Sequence, residues 1–382
     1  MHVQGRRMSA SVLKLFPEID YLLRITSTPQ SLALLNTEAC TVASNAGPRW
    51  QLMHNQLQKL LHSTHINTLQ KLQLASCERH FIGYYGDFRK SESNYLRALG
   101  AISHEHLDAS LNLLATSSKC CAAAGNFERA IDILSLAFTW APLHASTIKF
   151  WPIYSAAAVV CNRMTAHDYA VHFAEHASRL AEQRNIAVEL QLTRLNTLNS
   201  YRYLNNSSCQ QLYADQLAEL EGGDIRYDNI NQFLLLVHAA LAALDRPQPD
   251  CLTAGRALAM AQDMALEAND YCLAHYLLAV SRYQLAYGQR QKAKDAILEA
   301  EYLVSESDIA FSDAIAKTLK DLGIYNRCSH KPIENPVSTS TWQLFVKQCF
   351  NAMRADNTET TRCPSCAPNL YRPSTSQHLA AY

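Results

Sequence analysis

The residues Gly125, Asn126 and Phe127 stand between two stretches with small and aliphatic residues at helical spacing, and the same punctuation returns along the chain. Gly86, Asp87 and Phe88 repeat it 39 residues earlier, and Gly288, Gln289 and Arg290 follow 163 residues later. The second gap divides into four steps of about 41, so the chain is read first as a repeat array. Turns are then expected near positions 165, 206 and 247, where the sequence reads NRMTAHDYA, LNNSSCQQ and LDRPQPDC. Each interrupts apolar segments with polar residues or proline.

A stripe of small and aliphatic residues should follow each turn, because two antiparallel helices approach closely only where side chains are small. Ala130, Leu134 and Ala137 supply it after Gly125; Ala293, Ile297 and Ala300 supply it after Gly288; Ala170, Ala174 and Ala177 supply it in the third unit. Ser91, Tyr95 and Ala98 fit in part after Gly86. The unit near 206 places Gln211 in the first small slot, and the unit near 247 needs a longer turn to bring Ala254, Leu258 and Ala261 into phase. Glycine at such a turn adopts a positive φ and closes the preceding helix. A single hairpin cannot bury its apolar face, so the units must stack.

The bulk composition agrees with helices. The 382 residues include only 11 glycines and 12 prolines, few for a sheet rich in tight turns, while 48% are hydrophobic. Charges balance at 34 basic and 34 acidic residues, so no global field favours nucleic acid, and none is expected as a partner. Lys14, Glu18 and Asp20 interrupt the N-terminal apolar stretch before a signal core could form. The longest apolar run, Phe233 to Leu244, is too short to span a bilayer and reads as a buried helix. Twelve cysteines lack framework spacing, and Cys77, Cys121, Cys161 and Cys272 stand where helices want small apolar residues. Reduced thiols and a cytoplasmic location are expected, with no membrane contact.

The stretch AAAGNFERAIDILSLAFTWAP resembles a tetratricopeptide repeat from the end of its first helix onward, in Gly125, Asn126, Phe127, Ala130, Leu134, Ala137 and Pro142. The resemblance covers roughly residues 65–325, and the longer period is similar to the extended variant found in scaffold subunits and in sensor arms of bacterial regulators. It implies an all-α, right-handed superhelical solenoid of antiparallel helix pairs whose concave face is lined by the first helix of each pair. It also implies a binding role rather than a catalytic one.

Outside that array, residues 1–64 are expected to form a helical cap or extension, with a proline suited to a first turn at Pro48. A loop and a C-terminal helix around Trp342 to Met353 occupy residues 326–355. That helix is either a terminal cap or a detachable arm, and the cap is expected because solenoids need closed ends. Residues 356–382, with few aliphatics and many Ser, Thr and Pro, are expected to be disordered.

Chemistry-bearing motifs are sparse. Cys363 and Cys366 form half of a zinc site, with Cys349 or Cys328 as a conceivable third ligand, but no second pair stands at suitable spacing. His104 and His106 lack the i, i+4 placement of two ligands on one helical face, and His62 and His65 have no carboxylate partner. No nucleophile elbow, phosphate-cradling loop or metalloprotease helix is present, so no cofactor, metal or catalytic residue is expected.

The inward positions of first helices are the better candidates: Lys119, Asn162, Arg163, Arg202, His275 and Arg282. Their cationic excess suits an acidic peptide, a carboxylate terminus or an anionic ligand. The family's carboxylate clamp is absent as a motif, since the matching slots hold Ala115 and Lys119 in one unit and Ser155 and Val159 in the next. Tyr201, Tyr203, Tyr276 and Tyr283 are expected to pack rather than stack on a ligand. The leading expectation is a scaffold or adaptor that binds a protein or peptide. A ligand-sensing regulatory module comes next, and an enzyme with an unrecognised site last.

Overall fold

In a computed structural model, residues 99–141, 151–184, 187–204, 207–222, 229–268, 270–304, 309–324 and 337–360 are described, with a few isolated positions before residue 99. The expected N-terminal helices, the turn at Gly86 and the CPSC pair lie outside them. All the regular structure among the described residues is helical. Two short 3-10 turns, Leu99–Ala101 and His104–His106, lead into α1 (Leu107–Ala123), α2 (Phe127–Trp140), α3 (Trp151–Arg163), α4 (His167–Arg184), α5 (Ala187–Tyr203) and α6 (Ser207–Gly222). They are followed by α7 (Asn229–Leu244), α8 (Cys251–Glu267), α9 (Asp270–Ala286), α10 (Arg290–Val304), α11 (Ile309–Asp321) and α12 (Thr339–Thr360).

The helices pair in order, and the turns explain why. At Gly125 the φ is 81°, its N–H donates to Ala122 O, and the N–H of Asn126 donates to Cys121 O. This double bond satisfies the last carbonyls of α1 and reverses the chain. The same pair of bonds forms at Thr165, Gly288 and Gly323, with φ values of 63°, 72° and 68°. Asn126 then caps α2 by accepting the Arg129 N–H, and Asp250 caps α8 by accepting that of Thr253.

The small-residue stripes face inward as expected. Ala130, Leu134, Ala137, Ala170, Ala174, Ala177, Ala293, Ile297 and Ala300 are all fully buried. In the unit near 206 the stripe falls at other positions than expected. Cys209, Tyr213 and Leu217 are buried there, whereas Gln211 is exposed and donates to Asp215. Helix α7 buries almost every side chain from Phe233 to Leu244, as a helix surrounded by others must. No helix among the described residues is long and apolar enough to cross a membrane.

Beyond their own pairs, the first helices α1, α3, α5, α7, α9 and α11 pack on one another in sequence, each also touching the second helix of the preceding unit. The second helices are spread farther apart. A row that is close on one side and splayed on the other must curve, with the first helices on the inside. The result is a superhelical solenoid of antiparallel pairs. Among the described residues its apolar interior is built mainly of two blocks, one within α1 to α4 and α12 and one within α5 to α11. Polar bonds cross between them: Asn196 Nδ2 donates to Ser155 Oγ at 3.1 Å, Asn162 Nδ2 to Ser200 Oγ at 2.8 Å, and Tyr201 Oη to Glu175.

The C-terminal helix takes a different seat from the expected end of the array. Its packing partners among the described helices are α2 and α4, both second helices. It also runs on to Thr360, past the expected start of the disordered tail.

Candidate functional site

The inner wall formed by α3, α5, α7 and α9 carries a compact ionic cluster. Arg202, near the end of α5, is only 8% exposed and donates through Nε to Asp245 Oδ2 at 2.9 Å. Arg282, on α9, donates through Nη1 to Asp245 Oδ1 at 2.6 Å. One carboxylate just beyond α7 thus ties the first helices of three successive units. Burial alone would push the Asp245 carboxyl up, but the two guanidiniums overcome it and hold the carboxyl below the usual range.

Two imidazoles lie beside these charges. Arg202 Nη1 is 3.1 Å from His238 Nδ1, and a guanidinium only donates, so Nδ1 accepts and the ring proton stands on Nε2. His238 and His275 meet edge to face, with ring centroids 5.9 Å apart. Burial lowers both, more than the arginines do: His238 falls well below the ordinary value, and His275 falls to about 3 with help from Arg163 and Arg202.

Three of the sequence candidates therefore lie in this cluster, Arg202, His275 and Arg282, and the charge of Arg163 on α3 helps to lower His275. Asn162 is nearby but engaged in packing, bonding Ser200 and approaching His167 Nδ1 at 3.2 Å. Lys119 is half-buried on α1. Asp245 and His238 were missed by sequence reasoning. A signal existed: Asp245 is 43 residues after Arg202 and His238 is 36 after it, each about one repeat on. Residues stacked by the period were neighbours in waiting.

Three of the four tyrosines expected to pack do so, and the side chain of Tyr203 lies outside the described residues. Tyr201 bonds Glu175, Tyr276 lies against Phe233 at 6.2 Å, and Tyr283 sits 4.9 Å from Tyr287. Cys349, the conceivable zinc ligand, is fully buried among apolar side chains. No group of three or more His, Cys, Asp or Glu among the described residues could hold a metal ion. Burial pushes the Cys121 thiol up to about 12 and raises those of Cys161 and Cys209, so none of these is a ready nucleophile at neutral pH. Guanidinium donors present a planar fork to carboxylates, and here Arg202 and Arg282 present theirs to the shared Asp245.

Comparison with known proteins is consistent with the fold and goes no further. No family model matches the chain, and no curated protein matches it. Among solved structures, the chain is similar to a Rap protein complexed with competence and sporulation factor. The match has a TM-score of 0.50 at 12% sequence identity and covers 86% of this chain and 99% of that one.

Proposed function

We propose that this chain is a non-catalytic interaction scaffold that takes a protein or peptide segment along its inner wall, with Arg163, Arg202 and Arg282 reading acidic groups. The observation that carries the reading is the meeting of guanidiniums from α5 and α9 at one carboxylate on the concave side of a solenoid. A preformed wall of this kind binds several weak contacts at once without ordering itself first. The similar Rap structure holds a bound factor, which supports a binding role for this architecture. The buried free cysteines support residence in a reducing cytoplasm. We read the array as the long-period form of the tetratricopeptide repeat, supported by left-handed turn residues at Gly125, Thr165 and Gly288.

A second reading, a ligand-sensing regulatory module, draws on the polar seam. Bonds such as Asn162 to Ser200 join the two apolar blocks, and Arg163 stands on α3 of one while His275 stands on α9 of the other. An anion bridging both would tighten the superhelix.

The test is isolation of partners from the native cell with the wild type and with Arg163→Glu, a half-buried position outside the Arg202–Asp245 pair. A stoichiometric protein that is captured by the wild type and lost by the folded variant supports the reading. Equal capture by both removes the inner wall from the binding surface.

A further inference from the structure

The second helices have two occupied faces. Towards the first helices they turn the alanine stripes; away from them, α2 and α4 turn Phe138, Tyr169 and Phe173. This outer aromatic face is covered by α12, which is not a repeat unit. Phe345 sits between Phe138 and Phe173, with ring centroids 6.3 Å from each. Trp342 stands edge-on to Tyr169 at 5.3 Å, and Phe350 reaches Phe173 at 6.0 Å and Tyr169 at 6.2 Å. Cys349 and Met353 complete a buried stripe along one side of α12, while Gln343, Leu344, Lys347 and Arg354 stay exposed. This is the geometry of an amphipathic helix laid in an apolar groove.

The contact is separable from the array. The Ala130, Leu134 and Ala137 stripe and the Ala170, Ala174 and Ala177 stripe lie on helices that pair closely with α1 and α3, whereas α12 meets the aromatic side chains of α2 and α4. Within the contact, Gln348 Oε1 is buried with no hydrogen-bond partner, which weakens the docked state. Removing α12 would leave a contiguous aromatic strip on a folded solenoid, the kind of surface that marks a docking site.

We infer that the groove between α2 and α4 is a receptor for an amphipathic helix, and that α12 fills it in cis. The occupant it fits in trans is a partner helix presenting aromatic side chains with the spacing of Trp342, Phe345 and Phe350. Such a helix competes with α12 for one seat, so partner docking and α12 release are the same event. This surface is separate from the inner wall and does not depend on the function proposed for it.

The experiment uses the full chain and a fluorescent synthetic peptide of residues 337–360 as probe. In Phe345→Ala, loss of the central anchor frees the native α12, and the peptide should bind at least about tenfold tighter than to the wild type. A peptide carrying the same Phe345→Ala change should not bind. Hydrogen exchange of the unmodified protein gives an independent readout that needs no variant. Amides of α12 should exchange at least about tenfold faster than those of α2 and α4, by an opening that leaves the array closed. The inference is overturned if α12 exchanges only together with α2 and α4, if the peptide fails to bind a variant whose α12 exchanges freely, or if both peptides bind alike.

Discussion

Arg202 on α5 and Asp245 just beyond α7 form a pair with 2.9 Å between Nε and Oδ2, and the arginine is 8% exposed. The pair joins consecutive first helices where the inner wall carries its charge. Arg282 shares the same carboxylate, so Asp245 is the centre of the arrangement.

Replacing that carboxylate by an amide, Asp245→Asn, leaves two guanidiniums facing a neutral group in a largely buried place. Breaking a buried pair by removing one partner is costly, and a loss of about 2–4 kcal/mol is expected. Urea denaturation checks it; a change below about 0.5 kcal/mol would mean the pair is fully solvated in practice.

Stability should fall on mild acidification. The unfolded imidazole takes up a proton near pH 6.5, whereas His275 in the folded chain does so only near 3 and His238 is also lowered. Between those values the unfolded state binds more protons, so stability is fully present above about pH 6.5 and declines as pH falls below it. Asp245, also lowered, adds its loss only near and below the usual carboxylate range. His275→Gln should reduce the slope by about 1.4 kcal/mol per pH unit below pH 6, one proton's worth. Urea midpoints from pH 7.5 to 5 for both proteins measure this, and parallel slopes would contradict it.

Thr165 occupies a left-handed turn position, φ 63°, that glycine holds at Gly125, Gly288 and Gly323. A branched side chain pays conformational strain there, partly offset by the entropy glycine would lose on folding. Thr165→Gly is expected to raise stability by about 0.5–1 kcal/mol. Gly288→Ala, the reverse change at a turn with open space around it, should lower stability by about 1 kcal/mol. Thermal denaturation separates the two signs.

The architecture was readable wherever local chemistry dictates it. Gly125 and Gly288 announce turns because few other residues accept their φ, and Ala130, Leu134 and Ala137 announce a close helix contact because nothing larger fits. Legibility failed where no glycine marks the turn: near 206 the buried stripe is Cys209, Tyr213 and Leu217, and the slot expected at Gln211 is exposed. The arginines of the inner wall were visible as types at inward positions, but their shared carboxylate was not sought at the same register one unit on. The seat of α12 was hidden for another reason. Its amphipathic pattern says that it buries one face, and nothing in that pattern says that the face belongs on α2 and α4 rather than at the end of the array.

The measurement that bears most directly on the inner-wall proposal is hydrogen exchange of the chain with and without the partner recovered from the native cell. The account predicts added protection in the later turns of α3, α5, α7 and α9, around Arg163, Arg202, His238 and Arg282. Protection confined to the second helices, with the inner wall exchanging as in the free chain, would contradict it.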